Sequence, residues 1–129
     1  MILVLLGTQD KPFLRLLKMV SKEIDKGNIK EKVVAQTGYT AFSDKNMESF
    51  DFKNKEEIEK LIDKARIIIT HAGVGTITEC LEKGKKIIVV PRLKKYLEHT
   101  NDHQMQITKE FEMKGYVIAL YDKSRLSAA

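Results

Sequence analysis

Residues 65 to 84 read ARIIITHAGVGTITECLEKG, and the reading of this stretch decides the fold. Arg66–Thr70 is a nearly unbroken run of β-branched residues, the pattern of a strand covered on both faces. Thr76–Lys83 then reads as a helix stopped by Gly84. Between them lies His71-Ala72-Gly73-Val74-Gly75-Thr76. Glycine lacks a Cβ and tolerates left-handed backbone, so a ligand can touch the main chain there. The helix that follows opens with unpaired N–H groups and a partial positive charge, which suits a phosphate. The same two glycines also fit a tight turn that needs them for geometry alone. The full dinucleotide fingerprint G-x-G-x-x-G is absent, because position 78 is Thr.

Working outward, the alternation of strand and helix continues in both directions. Ile2–Leu6 reads as a buried strand ended by Gly7, and Pro12 opens a helix with Phe13, Leu16, Leu17, Val20 and Ile24 at helical spacing. Lys32–Gln36 is a second strand and Ser49–Phe52 a short third one. Asn54 with Glu57 three residues on is a capping-box start for a helix whose apolar face is Ile58, Leu61, Ile62 and Ala65. Lys86–Val90 is a strand ended by Pro91, Arg92–Thr100 a polar loop, Asn101–Lys114 a helix and Tyr116–Leu120 a last strand. The pattern predicts α/β architecture: a Rossmann-like, mostly parallel sheet with helices on both faces. One domain is expected over residues 1–121, with a short tail at 122–129 that carries no periodicity and is expected to fray.

Bulk properties narrow the function classes. The chain has 129 residues, 43% of them hydrophobic and 32% charged, which suits one globular domain and excludes disorder. No apolar run reaches the roughly 20 residues of a membrane-spanning helix, and MILVLLG reads as a strand, not a secretory leader. Cys80 is the sole cysteine; no internal disulfide can form, which suits a reducing cytoplasm, and its expected place is the buried face of its helix. The net charge of +5 fits an anionic ligand or an anionic surface, and equally a lysine-rich solvated exterior. No basic run interleaved with aromatics is present, so nucleic acid is not an expected partner. No metal-ligand set and no Asp-x-Asp is present, so neither a divalent metal nor another cofactor is expected.

Three clusters carry the candidate chemistry, each with two readings. In the first, Thr76 and Glu79 fit a capping box; equally, the Thr76 hydroxyl suits a phosphate and the Glu79 carboxylate suits paired ribose hydroxyls. His71, at a strand end, is a turn residue or lines the site. In the second, Asn101 and Gln104 fit a cap, whereas Asp102 and Gln104 suit sugar hydroxyls; Arg92, Lys94 and Lys95 neutralise a diphosphate or are solvated. In the third, Gly7-Thr8-Gln9-Asp10 is an ordinary connection or lines the same crevice. No Ser/His/acid set for nucleophilic catalysis is present.

The ordered set Leu6-Gly7-Thr8-Gln9, Gln36-Thr37-Gly38-Tyr39-Thr40, Glu48-Ser49-Phe50-Asp51-Phe52, Thr70-His71-Ala72-Gly73-Val74-Gly75-Thr76, Val90-Pro91-Arg92-Leu93-Lys94-Lys95 and Asn101-Asp102-His103-Gln104 resembles the C-terminal domain of glycosyltransferase family 28. More closely, it resembles the small catalytic subunits of bacterial exopolysaccharide and capsule transferases. It is also similar to the catalytic subunit of the dolichol-linked UDP-GlcNAc transferase. The likeness runs from the first strand to Ile118. It implies the nucleotide-sugar-binding half of a GT-B enzyme that inverts the anomeric centre without a metal at the donor phosphates. Carried over by motif, Gly73, Val74, Gly75 and Thr76 would hold the diphosphate, Glu79 the ribose, and Asp102 and Gln104 the donor sugar; His71 matches the family's turn position with its role open, and Gly7, Thr8 and Arg92 are the further substrate-binding candidates. The resemblance further implies a UDP-sugar donor, a lipid-linked or polysaccharide-precursor acceptor, and a membrane-anchored, acceptor-binding partner subunit that supplies the general base and recruits this chain to the inner face of the membrane. Alone, the chain could form a homodimer through the surface such a partner covers. A non-catalytic, nucleotide-binding scaffold subunit is the alternative. A dinucleotide-dependent oxidoreductase is disfavoured by the missing third glycine and by a second strand that ends in Gln36-Thr37 rather than an acid.

Overall fold

Period-two alternation in the apolar runs sends neighbouring side chains to opposite faces of a sheet, and both faces are buried here. The computed structural model describes residues 1–7 and 9–121. Its elements run β1 (Ile2–Leu5), α1 (Leu14–Asp25), β2 (Val33–Gln36), β3 (Glu48–Phe50), α2 (Lys55–Lys64), β4 (Ile67–Thr70), α3 (Val74–Glu82), β5 (Lys86–Val89), α4 (His103–Met113) and β6 (Ile118–Ala119). The six strands form one sheet in the order β3-β2-β1-β4-β5-β6, and every pairing is parallel. Ile2 of β1 sits opposite Val33 on one side and Ile67 on the other.

On one face Val4, Val33, Ile69 and Ile88 pack against Leu16, Leu17 and Val20 of α1. On the other, Leu3, Leu5, Ile68 and Ile87 meet Ile62 of α2 and Ile77 and Cys80 of α3, with Ile107 and Phe111 of α4 against the same cluster. Each fully buried aliphatic side chain of this kind contributes roughly 1.5–3 kcal/mol. This is a Rossmann-like α/β sheet with helices on both faces. Among the described residues no helix is long and apolar enough to cross a membrane.

The strand order places the crevice. The chain leaves β1 through α1 towards β2, and leaves β4 through α3 towards β5, in opposite directions along the sheet. Between β1 and β4 the order therefore reverses, and ligands of open α/β sheets bind at such a point, outside the carboxyl ends of the strands. Gly7 and the His71–Thr76 turn both lie there.

Several boundaries differ from the sequence reading for local reasons. α1 opens at Leu14, not Pro12, because the Phe13 amide donates to Thr40 Oγ1 at 3.0 Å instead of entering the helix. The Asn54 side chain accepts from the Glu57 amide at 2.9 Å, as its cap pattern predicts. The expected loop after Pro91 contains a 3-10 turn at Lys94–Tyr96, ended by Leu97 in left-handed backbone at φ 58°. β6 is only two residues long and pairs with β5 alone. The tail at 122–129 lies outside the described residues.

Candidate functional site

α3 begins two residues earlier than its sequence suggests, and this changes the chemistry of its start. Its N-cap is Gly73, which has no side chain to offer, and no side-chain cap hydrogen bond forms. The first N–H groups of any helix lack intrahelical partners. Among the described residues nothing accepts from the amides of Gly73, Val74, Gly75 or Thr76. The helix dipole adds its positive end at the same place. Thr76 is thus inside the first turn, and the capping box with Glu79 does not form: Glu79 lies a turn further on and its carboxylate makes no hydrogen bond to a described residue. Gly75, Thr76 and Glu79 are three and four residues apart, hence on one helix face. A Cβ at Gly75 would meet nothing within 4 Å, so that position is bare backbone facing open space.

That face borders a cleft of about 440 Å³ whose floor is Leu5, Ile58 and Ile62 and whose rim is Gly7, Lys55, Gly75, Thr76 and Glu79. It joins β1, α2 and α3 at the reversal point. Lys55 and Ile58 come from a helix that the sequence reading left out of the site; their only sequence signal is their place in the first turn of α2, which shares a core cluster with α3. Val74, at the start of α3, is half exposed.

The other two glycines are spoken for. A Cβ at Gly7 would lie 2.3 Å from His71 Nε2, and one at Gly73 would lie 2.8 Å from the same atom. Gly7 also has φ +80°. The imidazole edge occupies the space that two side chains would need. The ring is held from behind by Gln104, whose Nε2 lies 3.2 Å from His71 Nδ1. Gln104 Oε1 accepts from the Ala72 amide at 3.1 Å and the Arg92 amide at 3.0 Å. Gln36 does the same for the β1 turn: its Oε1 accepts from the Leu6 and Gly7 amides and its Nε2 donates to the Gly7 and Asp51 carbonyls. Two buried glutamines therefore fix the two turns. Gln104 is 3% exposed and its oxygen is fully engaged, so it is not open to sugar hydroxyls in this geometry. Nor does it cap α4 with Asn101, whose Oδ1 accepts from the His103 amide.

Burial, helped by the nearby Arg92 charge and opposed by the Gln104 hydrogen bond, pushes the His71 pKa down to about 4. The imidazole is neutral at pH 7. Since the folded value lies below the unfolded one of about 6.5, the unfolded chain binds the extra proton as pH falls. The stabilisation is whole above pH 6.5 and drains away down to about pH 4; it amounts to about 3 kcal/mol. His99 is lowered by burial and by Arg92 and adds a contribution of the same sign. Urea unfolding is expected to show stability falling between pH 6.5 and 5, with a shallower fall in a His71→Gln variant. Equal slopes in both proteins would contradict the neutral, buried ring.

Arg92 is neither solvated nor turned to the crevice; it is 1% exposed. Its Nη1 donates to the carbonyls of Lys11 at 2.7 Å and Glu98 at 3.1 Å, and its Nη2 to that of Leu6 at 2.7 Å. The guanidinium lies 4.9 Å over the Phe13 ring. Burial lowers its pKa to about 10, opposed by Glu98 and Asp10, so it stays charged. Glu98 is itself gripped by Arg15 through contacts of 3.0 and 2.9 Å. Asp102 is exposed, and its Oδ1 accepts from the Lys94 amide at 2.9 Å. Thr8 lies outside the described residues. The structure thus brings Gly7, Gly75, Thr76 and Glu79 to one cleft, sets the His71 ring against Gly7 and Gly73, leaves Asp102 exposed, and turns Arg92 and Gln104 inward.

A family model for the glycosyltransferase family 28 C-terminal domain matches residues 1–129. The "UDP-N-acetylglucosamine transferase subunit ALG13" of Candida albicans is 32% identical over 81 residues, covering 63% of this chain and 26% of that protein. The chain spans between 5% and 33% of the length of four curated relatives that carry this name. Among solved structures, the glycotransferase of kitacinnamycin superposes with a TM-score of 0.69 at 19% identity, covering 98% of this chain and 33% of that one. The solution structure of ALG13 superposes with a TM-score of 0.63 at 22% identity, covering 98% of this chain and 81% of that one.

Proposed function

Because this chain belongs to the glycosyltransferase family 28 C-terminal domain family, we propose that it is the donor-binding, catalytic subunit of an inverting UDP-sugar transferase. The observation that carries the reading is the row of unpaired amides from Gly73 to Thr76, beside the unpaired carboxylate of Glu79, along an open cleft at the sheet's reversal point. The amides and the α3 dipole seat the diphosphate. Glu79 accepts from the ribose hydroxyls. His71 offers a ring nitrogen to the phosphate side, and Asp102 accepts from the donor sugar. Arg92 and Gln104 act from behind, by shaping the turns.

In the reaction the acceptor hydroxyl attacks the anomeric carbon as the bond from that carbon to the phosphate oxygen breaks. UDP leaves, and negative charge develops on the diphosphate. Fixed N–H groups aimed at that charge stabilise the transition state, each by about 3 kcal/mol in comparable oxyanion sites. A partner subunit, membrane-anchored, binds the lipid-linked or polysaccharide-precursor acceptor and supplies the base that removes its proton. Such a partner would bring this chain to the cytoplasmic face of the membrane. The curated relatives named as subunits support a two-chain arrangement.

Calorimetry is expected to show UDP binding in the micromolar to millimolar range, about −8 to −4 kcal/mol, in EDTA as in magnesium. No UDP binding at millimolar concentration would overturn the reading. Binding without sugar transfer, with the acceptor-binding partner and a lipid acceptor present, would instead favour a nucleotide-binding scaffold subunit.

A further inference from the structure

We propose that Gln104 is a positioning residue that locks His71 in one tautomer, with its proton on Nε2, so that the ring presents a single N–H to an anionic oxygen in the crevice. The ligand half of this rests on the diphosphate seat proposed above; the tautomer half stands on the ligand-free protein alone.

The argument begins with the Gln104 amide, whose two ends are not interchangeable here. One end faces two backbone donors, the amides of Ala72 and Arg92, at 3.1 and 3.0 Å. Only a carbonyl oxygen can accept from both; an NH2 group there would set donor against donor. The oxygen is therefore fixed on that side, and the NH2 group faces His71 Nδ1 at 3.2 Å. An NH2 group donates, so Nδ1 must accept, and a neutral imidazole that accepts at Nδ1 carries its proton on Nε2. Each step follows from donor and acceptor inventory.

The same geometry aims the proton. The Nε2 edge fills the notch left by Gly7 and Gly73, the residues that end the β1 side and begin the α3 side of the crevice. Nε2 has no acceptor among the described residues. An anionic oxygen seated on the neighbouring amides of Gly73 to Thr76 would supply one. The charged groups that act on the ring, Arg92 from the β5 end and His99 from the loop beyond it, both oppose a second, charging proton on it. The device is thus a neutral donor that does not titrate in the physiological range. It would bind a pyrophosphate without itself exchanging a proton.

Long-range proton–nitrogen NMR of histidine-labelled, ligand-free protein reads the tautomer directly. The expected spectrum shows protonated Nε2 and bare Nδ1 at pH 7, unchanged at pH 5.5. A proton on Nδ1, a tautomer mixture or an imidazolium at pH 7 would overturn the lock. In Gln104→Glu, one carboxylate oxygen still accepts from both amides, but the other cannot donate to Nδ1. The expected result is a proton on Nδ1, a His71 titration midpoint raised from about 4 to above roughly 6, and about tenfold weaker UDP binding. A folded Gln104→Glu protein with an unchanged His71 spectrum would remove Gln104 from the role. Should that variant not fold, the wild-type spectrum decides alone. Adding UDP is expected to move the His71 Nε2–H signal together with the Gly75 and Thr76 amides. Movement of the amides without His71 would overturn the donor role and leave the seat standing. Movement of neither would remove the seat and the donor role together, while the ligand-free spectrum still judges the lock.

Discussion

Gly7→Ala is expected to lower stability by about 3 kcal/mol and the melting temperature by about 10 °C. Two costs combine. Left-handed backbone at φ +80° penalises any residue with a Cβ, by roughly 1–2 kcal/mol. The new methyl would also lie 2.3 Å from His71 Nε2 and 2.6 Å from Cε1. The ring has no easy retreat, because Gln104 holds Nδ1 and Gly73 closes the other side of the same edge. Overpacking of this kind costs roughly 1–3 kcal/mol. The informative control is Gly75→Ala, two residues beyond Gly73. Nothing lies within 4 Å of its Cβ position, and alanine is the better helix former by roughly 1 kcal/mol. That variant is expected to melt no lower than wild type, while its methyl group obstructs the amides and weakens UDP binding. Thermal denaturation and calorimetry on the pair separate a glycine that accommodates the protein from one that accommodates a ligand. A Gly7→Ala protein melting within about 2 °C of wild type would mean that the ring is not wedged there.

The second large effect is on affinity. Glu79→Gln is expected to weaken UDP binding about 10- to 100-fold, the loss of charge-assisted hydrogen bonds worth roughly 1.5–3 kcal/mol. Stability should move by no more than about 0.5 kcal/mol, because the carboxylate makes no hydrogen bond to a described residue and the helix start it might have capped lies at Gly73. The loss should shrink sharply when 2′-deoxy-UDP replaces UDP, since both changes remove the same contact. Unchanged affinity with reduced stability would restore a capping role; an equal loss for both nucleotides would place Glu79 away from the ribose.

Much of the architecture was legible because it is written locally. The β4 run, Ile67–Thr70, announces itself by branched side chains on both faces, and the Asn54 cap by a three-residue spacing realised at 2.9 Å. The start of α3 was misplaced because Thr76 and Glu79 imitate a capping box so well; nothing local reveals that Gly73, with no side chain, ends the turn. The roles of Arg92 and Gln104 were out of reach for another reason. Their partners lie far along the chain: Arg92 meets Leu6 across 86 residues, and Gln104 meets Ala72 across 32. Polar residues after a strand end read as ligand-facing until the fold shows backbone groups that would otherwise be buried without partners. Gly73 and Gly75 look equivalent in sequence, and only the position of the imidazole tells them apart.

The buried Arg92 has a mechanical consequence. One cation gathers three carbonyls, those of Leu6, Lys11 and Glu98, from the end of β1, the connection before α1 and the loop after Pro91. None of these segments can swing outward without stranding a charge in a dry interior, a penalty of several kcal/mol. The end of β1 that leads into Gly7 is therefore preassembled, its shape settled when the chain folds rather than when a ligand arrives.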